Sequence, residues 1–329
     1  MKAVVITQHG GVEGLSIREV PDPDYGPDDL LVRVRASALN RADILQRRGQ
    51  YPPPGPPAPF EIPGLEFAGE AEAVGNHVTE FRAGDRVMGL TAAGAHAEKL
   101  GVPSRMAVRI PDSLDWFQSA SLPEVFITAH DALITQCGLT GGESVLIHAV
   151  GSGVGAAATQ IARSAGAGLI MGTAGSELKL ARARELGLDV GINYQSTDFS
   201  DIVAEVTHSS GVDVILDVIG AKYLEKNINS LAKKGRLIIV GLLGGAVAQI
   251  NLATLLSRRL CIRGTALRAR PLEEKVAATR AFEKSLMPLI ASGRIRPIVD
   301  RVYPLSEIRE AHRYMESNAN FGKIVLEVS

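Results

Sequence analysis

The chain has 329 residues, 46% of them hydrophobic and 22% charged, with a formal net charge of −1. That length suits two domains of roughly 100–200 residues, and the composition is that of a soluble globular protein. Near-neutral charge gives no basic field to gather nucleic acid or an anionic membrane, and no stretch reaches the roughly 18 apolar residues of a membrane-spanning helix.

Met1-Lys2 leads directly into Ala3-Val4-Val5-Ile6, a strand-like run too short for the apolar core of a signal peptide and lacking a small-residue cleavage site. Val32, Val34 and Ala36 then alternate with Arg33 and Arg35, the period-two pattern of a half-buried strand. Asn40 to Leu45 predicts a short helix. The run from Tyr51 to Pro59 can be neither helix nor central strand, because proline lacks the amide donor each needs. It reads as a stiff loop on the rim of a cleft, with a proline-rich docking peptide as the alternative. Gly64, Gly69, Gly75 and Gly84 mark turns and bulges in the strands that follow.

From about Ser144 the pattern changes to alternating strands and helices. Val145–Ile147, Leu169–Met171, Val190–Ile192, Val214–Leu216, Leu237–Val240 and Leu260–Ile262 are short apolar runs separated by helical patterns such as Gly153–Gly166 and Glu177–Leu186. Runs of that kind predict a parallel sheet covered on both faces, a doubly wound α/β fold. A long helix over about Glu273–Ile290 and the strands Val299–Tyr303 and Ile324–Leu326 lack this rhythm and are expected to rejoin the N-terminal domain. The two cysteines, Cys137 and Cys261, give no disulfide framework and read as buried thiols of a reducing, cytoplasmic compartment.

The first strand of the alternating half ends in His148-Ala149-Val150-Gly151-Ser152-Gly153-Val154-Gly155-Ala156. Glycines at such a turn let the backbone approach a pyrophosphate, and the helix that follows offers free N–H groups and a partial positive charge. The spacing permits two readings. Glycines 151 and 153 give G-x-G-x-x-A, whereas taking Gly155 as the last glycine puts Ser152 where the middle one belongs. NAD sites usually carry an acid near the end of the second strand to hold the ribose 2′-hydroxyl. Here that strand ends Gly172-Thr173-Ala174-Gly175-Ser176, with Glu177 and Lys179 just beyond. Small donors plus an ammonium suit a 2′-phosphate, which a carboxylate would repel, so the sequence favours NADPH.

At this point the chain resembles the medium-chain dehydrogenase/reductases over essentially its whole length, and among them the zinc-free quinone oxidoreductases (ζ-crystallin-like), close to the tumour-suppressor-inducible branch. The resemblance is carried by Ala36–Asp43, Gly49-Gln50-Tyr51, Pro63–Gly69, Gly84–Val87, Val145–Ala149, Thr173–Ser176 and Phe321–Val325. It implies a Rossmann doubly wound parallel sheet (residues 123–267) inserted in a GroES-like, mostly β substrate domain (residues 1–122 and 268–329). Zinc-dependent members place catalytic ligands where this chain has Asn40 and Leu65. Leucine cannot ligate a metal, asparagine is a poor zinc ligand, and no four-cysteine cluster exists for a structural zinc.

The resemblance assigns Ser176, Lys179 and Tyr194 to the adenosine 2′-phosphate, with Gly175 letting it near the backbone. Ser152, Gly153 and Val154 fall at the pyrophosphate turn. Thr128, Gly241, Leu242 and Leu267 are implied around the nicotinamide, and Asn320 closes the site. Asn40, facing the nicotinamide, and Tyr51, beside the proline-rich rim, are the expected substrate-side residues. Tyr51 suits positioning or proton donation, with an ordinary pKa near 10. His96 and His148 read as structural. No Ser-His-Asp set, paired-carboxylate motif or H-E-x-x-H occurs. The leading expectation is an NADPH:quinone reductase. The alternatives are an enone (2-alkenal) reductase on the same scaffold and a non-catalytic NADPH-binding protein, since relatives serve in the lens or bind RNA. Family members commonly pair through the sixth strand, near Leu260–Leu267, which implies a homodimer.

Overall fold

The computed structural model describes residues 1–329. The apolar runs of the alternating half become strands β8 (Ser144–Ile147), β9 (Leu169–Ala174), β10 (Val190–Asn193), β11 (Val212–Asp217), β12 (Leu231–Ile239) and β13 (Cys261–Gly264). They form one parallel sheet in the order β10-β9-β8-β11-β12-β13. Counted from β8 this is 3-2-1-4-5-6, the doubly wound order, whose topological switch point lies between β8 and β11. Val145, Leu146, Ile147, Val214, Ile215 and Leu216 are all fully buried, as central strands covered on both faces must be. Leu146, Met171, Ile215, Leu237 and Phe199 pack into one core, and burying each such side chain stabilises the fold by about 1.5–3 kcal/mol.

The first strands are β1 (Lys2–Ile6) and β2 (Leu15–Glu19), an antiparallel pair. A second sheet contains β3 (Asp29–Ala38), β4 (Glu66–Val74), β5 (Arg86–Leu90), β6 (Lys99–Pro103), β7 (Ala107–Arg109), β14 (Val299–Pro304) and β15 (Lys323–Glu327), in the order β14-β15-β3-β4-β5-β7 with β6 also on β3. The C-terminal strands thus complete the N-terminal sheet. On β3 the predicted alternation holds, with Leu30, Val32, Val34 and Ala36 buried and Arg33 exposed. The β3–β4 register shifts between Val34 and Ala36, opposite Gly69. A Cβ at Gly69 would stand 2.2 Å from the Arg33 carbonyl oxygen, so the bulge there needs glycine. β15 pairs with β3 through Val325 opposite Ala38, which delivers Lys323 to the end of β3 where Asn40 begins the helix Arg41–Arg47.

The chain divides into two compact units, Met1–Ile127 with Leu267–Ser329, and Thr128–Ala266. The family resemblance implies junctions at 122/123 and 267/268. The first junction of the structure instead falls inside the helix Pro123–His130, whose opening turn packs with the N-terminal unit. The proline-rich run has no regular structure and is exposed from Gly55 to Phe60. Helices without a clear apolar stripe, such as Leu224–Ser230 and Leu252–Arg258, are not apparent from sequence pattern.

Candidate active site

In the Thr128–Ala266 unit, β8 ends in a turn where Ala149 adopts a left-handed conformation (φ 56°). Ser152 then caps the helix Gly153–Ser164, its hydroxyl accepting from the Gly155 N–H at 3.0 Å. A Cβ on Gly155 would lie 2.2 Å from the Ala149 carbonyl oxygen, so this glycine is what lets the helix pack against the turn. That decides between the two readings of the motif. Gly155 is the packing glycine, and Ser152 occupies the middle position as the helix cap. Ser152, Gly153 and Val154 are partly exposed at this positive helix end, as a pyrophosphate contact requires.

β9 ends beside this turn. Ser176 caps the helix Glu177–Arg184, accepting from the Lys179 N–H at 3.4 Å. A Cβ on Gly151 would meet Lys179 Cδ at 2.8 Å, so the lysine stem crosses the glycine turn. A Cβ on Gly175 would meet the Tyr194 hydroxyl at 2.6 Å, so the phenol lies over the end of β9. Gly175, Ser176, Lys179 and Tyr194 therefore converge on one place, around two bare glycines. Glu177, the only acid nearby in the sequence, is exposed and accepts from Asn193 Nδ2 at 3.2 Å. The donor set of hydroxyls, backbone amides and an ammonium fits a phosphate.

The other residues expected at the cofactor are spread over both units. Thr128 is buried in the helix Pro123–His130, and Gly241 and the exposed Leu242 follow β12. Leu267 is buried at the start of the returning segment, and Asn320 donates from Nδ2 to the Gly322 carbonyl at 2.9 Å, turning the chain into β15.

Asn40 lies in the N-terminal unit at the centre of a cluster whose other members the sequence reading did not single out. Lys323 Nζ donates to Asn40 Oδ1, to the Leu39 carbonyl and to Glu66 Oε1, each at 2.6 Å. Asn40 Nδ2 donates to Glu66 Oε1 at 2.9 Å, and Glu66 Oε2 accepts the Glu124 N–H at 2.8 Å. Asp43 accepts the Asn40 N–H at 2.7 Å and the Gly64 N–H at 3.0 Å. The carboxamide of Asn40 is therefore fixed at both ends by protein groups, and the ammonium of Lys323 already stands against it. No group of three or more His, Cys, Asp or Glu side chains is placed to hold a metal. Leu65 is buried, as is His96, which bonds Ser37 Oγ at 2.8 Å; burial holds that imidazole below its ordinary pKa.

Tyr51 is partly buried, with the Arg268 guanidinium 5.0 Å from its ring and donating to its carbonyl at 2.9 Å. Burial raises the phenol above its ordinary pKa, with Arg268 opposing and Glu124 adding to the rise. No hydrogen bond joins Tyr51 to Asn40. Glu124 is partly exposed, yet burial of its carboxyl and the negative charge of Glu66 push it up to about 8. Glu66 and Glu124 are thus the carboxylate pair that no sequence motif announced.

His148 bonds Thr173 Oγ1 at 3.1 Å and Asn227 Oδ1 at 2.7 Å inside a cage of Phe199 and Tyr223, with ring centroids 4.7 and 4.9 Å away. Burial lowers its pKa to about 4, so it is a neutral strut of the nucleotide unit.

A doubly wound sheet with a capped glycine turn after its first strand, joined to a mostly antiparallel unit, defines a dinucleotide-dependent oxidoreductase. Residues 26–112 match the alcohol dehydrogenase GroES-like domain family and residues 153–284 the zinc-binding dehydrogenase family. The chain is 33% identical to a quinone oxidoreductase of Pseudomonas aeruginosa, covering 99% of each. It is 32% identical to the human synaptic vesicle membrane protein VAT-1 homolog, covering 99% of this chain and 86% of that one. Among solved structures, the Escherichia coli quinone oxidoreductase complexed with NADPH superposes with a TM-score of 0.90 at 29% identity, covering 100% of each chain. An NAD-dependent alcohol dehydrogenase gives 0.88 at 32%, covering 100% of each. The JamJ enoyl reductase in its apo form gives 0.89 at 25%, covering 100% of this chain and 99% of that one. The chain belongs to the medium-chain dehydrogenase/reductase family and is an oxidoreductase related to its quinone oxidoreductases. No helix is long and apolar enough to cross a membrane.

Proposed function

We propose that the protein is an NADPH-dependent quinone oxidoreductase working without zinc. The observation that carries this is the placing of Lys179 against Gly151 and of Tyr194 against Gly175, with Ser176 capping the helix that bears the lysine. NADPH supplies a hydride when bound. Ser152, Gly153 and Val154 would hold its pyrophosphate, Thr128, Gly241, Leu242 and Leu267 would border its nicotinamide, and Asn320 would close the site. Asn40 and Tyr51 are the substrate-side residues. Asn40, with its carboxamide anchored by Lys323 and Glu66, gives the acceptor a rigid wall. Positioning and water exclusion are what hydride transfer asks of the protein. With an ammonium against Asn40 and leucine at position 65, the acceptor gains no Lewis acid, which suits quinones and activated alkenes.

Absorbance of NADPH should fall with a panel of quinones and should be indifferent to chelators, with well under one zinc per chain by elemental analysis. Stoichiometric zinc, or loss of activity with chelator, would end the zinc-free reading. Faster turnover of 2-alkenals than of quinones would move the assignment to an enone reductase, the second reading, which the likeness to an enoyl reductase supports. We place the enzyme in the cytoplasm, its two cysteines being reduced; fractionation tests this. We also propose a homodimer paired along β13, an edge strand, near the exposed Leu252 and Leu256. Light scattering should return the mass of two chains, and a single-chain mass at micromolar concentration would contradict it.

A further inference from the structure

We propose that Glu124 is the proton donor of the active site. It gives its carboxyl proton to the anion left when an acceptor has taken a hydride. The inference rests on the reading of the protein as an NADPH-dependent reductase and deepens it by naming the source of the second hydrogen.

The cluster around Asn40 divides its charges unevenly. The three N–H bonds of Lys323 are all committed, to Leu39, Asn40 and Glu66. Both oxygens of Glu66 are committed as well, Oε1 to Lys323 and Asn40, and Oε2 to the Glu124 N–H. Asp43 is held by two backbone amides. Arg268 is spent on Gln46 and on the carbonyls of Ala92 and Tyr51. The carboxyl of Glu124 alone is left without a hydrogen bond or ion pair from the chain, although its own amide touches Glu66. Glutamate in the first turn of a helix normally gains from the free amides there. Here the Glu124 amide serves Glu66 instead, bringing a second carboxylate against it.

The groups acting on Glu124 come from every side. Glu66 on β4 and Asp43 on the helix Arg41–Arg47 favour the neutral acid, while Lys323 on β15 and Arg268 favour the anion. Burial and Glu66 prevail, and the group titrates at about 8, so at neutral pH it holds a proton. Tyr51 carries its phenol in the same field, but above its ordinary pKa, which makes Glu124 the better acid. Glu124 as a residue is only partly buried, so solvent lies close to its carboxyl. Thr128, on the implied nicotinamide side, follows it by four residues on the same helix. The step balances. The acceptor gains a hydride with its two electrons from NADPH, which leaves as NADP⁺. It gains a proton from Glu124, and the carboxylate then takes a proton from water.

The test uses the full-length protein, NADPH, trans-2-hexenal and a naphthoquinone. Glu124→Gln should bind NADPH as wild type does while reducing hexenal about 10²- to 10⁴-fold more slowly. The loss of wild-type rate on raising the pH through about 8 should vanish in Glu124→Gln and persist in Glu124→Asp. Difference infrared spectroscopy gives a readout independent of turnover. Wild type should show a protonated-carboxyl band that titrates near pH 8 and is missing in Glu124→Gln. An unchanged rate and pH profile in Glu124→Gln, or absence of that band at neutral pH, would overturn the inference. Failure of wild type to oxidise NADPH with either acceptor, with the band present, would overturn the reductase reading instead.

Discussion

The two units each bury a polar network, and they do so by opposite means. In the N-terminal unit the buried groups are charged, with Lys323 and Glu66 paired at 2.6 Å around Asn40. In the nucleotide unit the buried groups are kept neutral or tied to amides. His148 is lowered to about 4 by burial, and Asp217 is raised to about 6 by burial against the Ile219, Gly220 and Asn227 donors. A network of neutral side chains and a carboxylate bound by amides holds elements together and asks little of its surroundings. A charged one leaves a residual field, and Glu124 sits in that field with no partner of its own. The comparison teaches where chemistry is located. Spent charges lock a site, and the one unspent acid beside them is available to react.

The largest effect should come from breaking the charged network. Lys323→Met leaves the buried Glu66 carboxylate and the Asn40 oxygen unpaired, and should cost about 3–5 kcal/mol in denaturant unfolding. Adding Glu66→Gln should recover part of that loss, because the uncompensated charge goes with it. If the single and double variants unfold at the same denaturant concentration, the cluster is not an ionic unit.

A smaller effect is expected in the neutral network. His148→Leu strands the Asn227 oxygen and leaves the Thr173 hydroxyl only the Ala149 amide, for about 1–3 kcal/mol. The pH dependence sharpens the comparison. His148 has a folded pKa of about 4 against an ordinary 6.5, so its contribution is present above 6.5 and lost as pH falls toward 4. The cost of His148→Leu should therefore shrink on acidification through that window. Asp217 acts in the other direction, since its folded pKa of about 6 exceeds the ordinary 3.8 and its stabilisation is lost as pH rises through 6. In the variant the His148 slope is gone while the Asp217 slope remains, so stability should fall less between pH 6 and 4 than it does in wild type. A cost that grows with acidification would mean that His148 is protonated in the folded protein.

The doubly wound half is legible because parallel strands buried on both faces read as unbroken apolar runs, such as Val145–Ile147 and Val214–Leu216. The nucleotide turn is legible because its chemistry is local; Ser152, Ser176 and Lys179 all belong to helix starts that follow strands. The choice between Gly153 and Gly155 needed the Ala149 carbonyl, which no motif contains. The charged cluster is illegible for a different reason. Lys323 and Asn40 stand 283 residues apart and meet only because β15 returns to the edge of β3. Glu124 likewise reads as an ordinary acid in a helix's first turn. Its character comes from burial and from Glu66, 58 residues earlier in sequence and on another element.

The central claim is that a 2′-phosphate pocket formed by Ser176, Lys179 and Tyr194 makes this an NADPH enzyme. A charge-assisted contact to phosphate contributes about 1.5–3 kcal/mol, with solvent screening at this partly exposed lysine favouring the lower end. The dissociation constants of NADPH and NADH, measured for wild type and Lys179→Ala at one salt concentration, test it directly. The account predicts that wild type prefers NADPH, and that the variant weakens NADPH by about 10- to 150-fold while hardly changing NADH. A wild type that prefers NADH, or equal losses for both cofactors in the variant, would contradict it.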